Sequence, residues 1–152
     1  MNTDLDHVKR VFSQVSENLV FMFTEEWYEE ERPLTEKTFA LAQVRFTGPF
    51  NGSLSIVVPE SLCAPIKANM LGAELAGGIA GKRPYDALGE LLNVTCGHLL
   101  TALAGEDPVF NLTPPEAMAV DRARWDAIKR QPDTAALLLE DLPVLLLLER
   151  ES

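Results

Sequence analysis

The chain has 152 residues, 47% of them apolar, and a formal net charge of −10. That length suits one domain, and that apolar content supplies a core without disulfide staples. So acidic a chain is repelled by nucleic-acid phosphates and by anionic lipid, so neither is an expected partner.

The opening MNTDLDHVKR lacks the apolar stretch of a signal peptide. Leu5, Val8, Val11, Phe12, Val15, Leu19 and Phe23 then recur at helical spacing, which predicts an amphipathic helix from about Asp4 to Phe23. The acidic stretch Glu25 to Arg32, with Trp27 and Tyr28 inside it, reads as a solvated helix end or loop. Phe39 to Phe46 and Leu54 to Val58 read as two strands joined through the turn formers Thr47 to Ser53, a β-hairpin. Pro59 ends the second strand. A helix opens at Glu60 or Ser61, runs to Met70 and is stopped by Gly72.

Residues 77–82 are glycine-rich and read as a loop. Pro84 and Asp86 stand where a helix start favours them, and a long helix is expected from about Tyr85 to Ala104, ended by Gly105. Beyond Pro108 the pattern predicts strands at 117–120, 134–140 and 143–149, with a short helical piece at 122–130. The apolar run Leu142 to Leu148 is far too short to span a bilayer. Cys63 and Cys96 are far apart, outside any CxxC spacing, and are expected to be reduced, buried thiols. Together these features describe one soluble, cytoplasmic α/β domain, with a mainly antiparallel sheet covered by helices.

Several chemistries find no residues. His7 and His98 make no metal-ligand spacing, and Cys96 and His98, two apart on a helix, point to different sides. Residues 76–83 contain Gly-Lys, but Ala76 replaces the first glycine of a phosphate loop and Arg83 replaces its Ser or Thr. The long helix offers more. At about 100° per residue, Leu88, Leu91, Leu92, Cys96, Leu99 and Leu103 gather on one side. Asp86, Glu90, Asn93, Gly97 and Thr101 gather on the other, which makes Glu90 and Asn93 neighbours on an exposed face. Gly97 costs the helix about 1 kcal/mol relative to Ala and leaves the surface beside Asn93 open.

Asp86, three residues, Glu90, two residues, Asn93, and then Pro115 closely resembles the signature of the CheC/CheX/FliY phosphatases. Phe46-x-Gly48 with Gly52-x-Leu54-x-Ile56 and Pro59 resembles the hairpin of that family, and Phe110-Asn-Leu-x-x-Pro115 resembles the segment after its signature helix. The resemblance covers roughly residues 4–150, with Pro114 and Pro115 competing for the proline position and Asp121 to Pro132 idiosyncratic. It implies a single CheX-like phosphatase domain over 1–152, an α+β fold with two long helices packed on one face of the sheet. It also implies a substrate: the aspartyl-phosphate of a CheY-like response regulator.

By the same resemblance, Asn93 orients the attacking water and Glu90 pairs with the regulator's lysine, while Asp86 and Gly97 contact the partner. No cofactor belongs to the chain itself, magnesium being expected on the regulator, and a homodimer formed through the sheets is expected. A non-catalytic receiver-binding or motor-interaction module is the alternative. Some members of the family carry two Glu-x-x-Asn helices. Here the first helix has Ser13, Glu17 and then Val20 at the corresponding spacing, so one active site per chain is expected. Asn18 follows Glu17 directly and points about 100° away from it.

Overall fold

The apolar alternation of the two hairpin segments builds the centre of a sheet. The structure is a computed structural model that describes residues 3–74, 83 and 85–151. In chain order it contains α1 (Thr3–Val20), β1 (Thr24–Glu26), β2 (Thr38–Thr47), β3 (Gly52–Pro59), a 3-10 turn at Glu60–Leu62 and α2 (Cys63–Glu74). There follow α3 (Asp86–Ala104), β4 (Asn111–Leu112), β5 (Glu116–Asp121), α4 (Arg122–Lys129), β6 (Thr134–Leu139) and β7 (Leu142–Arg150). The seven strands form one sheet in the order β1-β6-β7-β3-β2, and β4 and β5 pair in turn along the outer side of β2. Every pairing is antiparallel, so the fold is α+β, as expected.

Strand residues alternate between two cores. Ala40, Ala42, Val44 and Phe46 of β2 turn to the larger core, with Leu54, Ile56 and Val58 of β3 and the apolar sides of α1, α2 and α3. Phe39, Leu41, Val57, Leu145 and Leu147 turn to the opposite face, where Trp125 and Ile128 of α4 cover them. β3 and the middle of β7 are therefore buried on both faces, which is why Leu142 to Leu148 reads as a continuous apolar run. The idiosyncratic segment Asp121 to Pro132 is the cover of this second face. Asp121 caps α4, its carboxylate accepting from the Arg124 N–H at 3.0 Å. Trp125 stacks on Phe39 with ring centroids 4.7 Å apart.

Three boundaries differ from expectation. α1 stops at Val20, not Phe23, because Phe21 adopts the left-handed conformation at φ 55° and the Asn69 amide donates to the Val20 carbonyl at 2.7 Å. Phe23 is thereby exposed. Within the acidic stretch, Glu25 and Glu26 lie in β1, paired with β6, and only Tyr28 to Arg32 forms the turn. α2 runs through Gly72 to Glu74. The expected loop at 77–82, the residue Ala76 and Pro84 lie outside the described residues. Among the described residues α3 is the one helix long and apolar enough to cross a membrane, and half of it is buried against the rest of the fold.

Candidate active site

α3 divides as its sequence requires. Leu88, Leu91, Leu92, Cys96 and Leu99 are fully buried against the sheet and α1, whereas Glu90 and Asn93 are half-buried and Gly97 and Thr101 are exposed. Glu90 and Asn93, three apart, share the outer face. Neither the Glu90 carboxylate nor the Asn93 amide has a hydrogen-bond or ion-pair partner among the described residues. A Cβ built at Gly97 meets nothing within 4 Å among the described residues, so the ground one turn below Asn93 is open there.

The start of the helix is held from two directions. The Tyr85 hydroxyl donates to Glu60 at 3.0 Å, and partial burial followed by that carboxylate raises the phenol above its ordinary pKa. Asp86 lies in the first turn and its carboxylate accepts from the Arg83 N–H at 3.1 Å, so in the free chain it organises the helix start. From the other side Pro115 leans on Gly89. A Cβ built at Gly89 would stand 3.1 Å from the Pro115 Cβ and 3.3 Å from its Cγ. Of the two competing prolines, Pro115 is thus the one that touches the signature helix. An open cleft of about 480 Å³ lies beside this contact, lined by Asp86, Gly89, Pro115 and Glu116 among others.

Other reactive groups are out of play. Burial pushes the Cys96 thiol up to about 12, and burial with the nearby Glu60 charge pushes Cys63 up to about 11, so both stay protonated near neutral pH. His98 is exposed and His7 lies 2.9 Å from the Thr3 carbonyl. Among the described residues no group of three or more His, Cys, Asp and Glu side chains is placed to hold a metal ion. The site therefore offers an anion and a planar amide, each reaching solvent, on a helix whose back is fixed in the core. An amide supplies one acceptor and two donors in a plane, which suits it to orienting a water without acting as a base. What sequence reasoning overlooked is Gly89. Its place beside the buried side of α3 gives a small-residue signal, but nothing in its neighbourhood names Pro115 as the group it admits.

The family described as Chemotaxis phosphatase CheX matches residues 40–134, more than half of the chain. The chain belongs to the CheX family. Solved structures agree in fold. The chemotaxis protein CheX from Desulfovibrio desulfuricans superposes with a TM-score of 0.68 at 15% identity, over 99% of this chain and 100% of that one. CheX from Vibrio vulnificus gives 0.66 at 16% identity, over 99% and 100%. The CheX-CheY-BeF3-Mg complex from Borrelia burgdorferi gives 0.54 at 13% identity, over 97% of each chain. Among curated proteins none matches the sequence. Within the CheX family match lie all four residues expected at the site, Asp86, Glu90, Asn93 and Gly97, and Pro115 as well.

Proposed function

We propose that this CheX-family chain, acting in the cytoplasm, removes phosphate from the aspartyl-phosphate of a CheY-like response regulator. Asn93 inserts beside the phosphoryl group and orients the attacking water, and Glu90 pairs with the regulator's lysine and sets the register. Phosphoryl transfer asks mainly for positioning and electrostatics, so an oriented water supplies much of what the reaction needs. The observation that carries this reading is the pair Glu90 and Asn93 on the solvent side of α3, without partners among the described residues. A complex of CheX with CheY is known from Borrelia burgdorferi, which supports a receiver of this class as the substrate. In this reading Asp86 and Gly97 border the docked receiver, any magnesium belongs to the regulator, and the chain needs no cofactor of its own. Pairing of two copies through their sheets is part of the same proposal. The unpaired outer side of β5 supports it, since that strand has one partner among the described residues.

The test is phosphate release from a purified CheY-like receiver phosphorylated with acetyl phosphate. Asn93→Ala is expected to lower turnover about a hundredfold or more while leaving thermal stability and receiver affinity close to wild type. Glu90→Lys is expected to weaken receiver binding, because a cation then faces the regulator's lysine. Wild-type turnover in Asn93→Ala removes the water-positioning role. Binding without any hydrolysis by the wild-type chain identifies an interaction module instead.

A further inference from the structure

Pro115 is placed by bonds on both sides of it. Just before it, Thr113 is tied to β2 twice: its N–H donates to the Arg45 carbonyl at 2.9 Å, and its hydroxyl accepts from the Arg45 N–H at 3.0 Å. Just after it, Glu116 opens β5 in register with Gln43 of β2. The ring is therefore carried by the sheet and has little freedom to retreat. Opposite it stands Gly89, buried in α3, with its N–H bonded to the Tyr85 carbonyl at 3.1 Å. Contacts of 3.1 and 3.3 Å for an added Cβ are tighter than ordinary carbon packing, so any larger residue here must push the helix or the proline by a few tenths of an ångström.

Gly89 directly precedes Glu90 and lies one turn before Asn93, about 40° round the helix from it. Displacement at Gly89 therefore moves the part of α3 that carries both groups. We propose that Gly89 is a positioning residue: its missing side chain lets Pro115 clamp the first turns of α3 to the edge of the sheet and so fixes where Asn93 meets the phosphoryl group. This rests on the phosphatase reading above. The clamp acts on geometry and adds no contact to the substrate, so its removal should appear in kcat more than in affinity, since small misplacements of a reacting group are costly.

The experiment is a double-mutant cycle of Gly89→Ala and Pro115→Gly, read as kcat with phosphorylated receiver and as Kd with receiver loaded with beryllofluoride and magnesium. Gly89→Ala is expected to lower kcat about tenfold with Kd within about twofold of wild type. Pro115→Gly alone removes the clamp and lowers kcat slightly, and adding it to Gly89→Ala removes the obstructing ring and should bring kcat up to the level of Pro115→Gly alone. A merely structural role would lower stability and would not produce that reversal. Wild-type kcat in Gly89→Ala, or a loss that Pro115→Gly fails to relieve, overturns the clamp and leaves the phosphatase reading standing. A wild-type chain that hydrolyses no phosphorylated receiver takes both down. Should the Pro115→Gly background fail to fold, Gly89→Ala alone decides by the same kcat and Kd criteria.

Discussion

Asn93 has the open ground of Gly97 one turn below it and the Gly89–Pro115 contact one turn above it. The two glycines answer to different forces. Gly89 is small because something of the chain's own presses on it, whereas Gly97 is small although nothing among the described residues lies within 4 Å of an added Cβ. A helix-interior glycine with empty surroundings forfeits up to about 1 kcal/mol relative to Ala without an internal reason. Gly97→Ala should therefore raise stability by up to that amount, measured by urea unfolding, while weakening the affinity for a beryllofluoride-loaded receiver several-fold. Unchanged affinity would remove Gly97 from the docking surface. The pair Glu90 and Asn93 was legible in the sequence, because helical geometry alone puts them side by side and opposite the leucines. The contact to Pro115 was not, since it depends on how the chain returns through β2. Nor was the bond from Arg83 to Asp86, which makes Asp86 a part of the helix start as well as a candidate contact.

At the scale of elements, α4 shows how much one short helix can carry. Its eight residues cover the second face of the sheet, and Trp125 is fully buried there against Phe39. Trp125→Ala should cost about 3–5 kcal/mol in unfolding free energy. The indole N–H of Trp125 has no hydrogen-bond partner among the described residues, so Trp125→Phe gives up no bond there and should cost much less, a difference that chemical denaturation resolves. If the two substitutions were equally damaging, the indole N–H would have to be satisfied after all. The strands of this sheet were readable because their period-two pattern reports the two cores directly. Boundaries failed where tertiary bonds override local pattern: α1 ends on a bond from Asn69, far along the chain, and not at a glycine or proline. β1 escaped notice because an edge strand tolerates charge. Glu25 and Glu26 are both exposed, and such charges discourage unwanted pairing at that edge.

Over the whole molecule, α1 packs above β6 and β7 as α3 packs above β2 and β3, so each half sets one long helix over a pair of strands. The halves differ in what the helix turns outward. α3 presents Asn93, half-buried and without a partner among the described residues; α1 has Val20 at the corresponding place, and Val20 is fully buried. Ser13, the counterpart of Asp86, is engaged by the Thr24 hydroxyl, and Glu17 is exposed with valine, not an amide, three residues after it. A valine in the core has neither a position nor a group with which to orient water, so one site per chain is expected. Glu17→Ala should leave phosphate release unchanged, and the rate left in Asn93→Ala should be the same with or without Glu17→Ala. A residual rate in Asn93→Ala that vanished on adding Glu17→Ala would reveal a second site. Val20→Asn should not create one, because its amide would point into the core. It should instead cost about 1–3 kcal/mol for burying an unsatisfied polar group. A Val20→Asn variant that released phosphate faster than wild type would show that the end of α1 can turn this position outward.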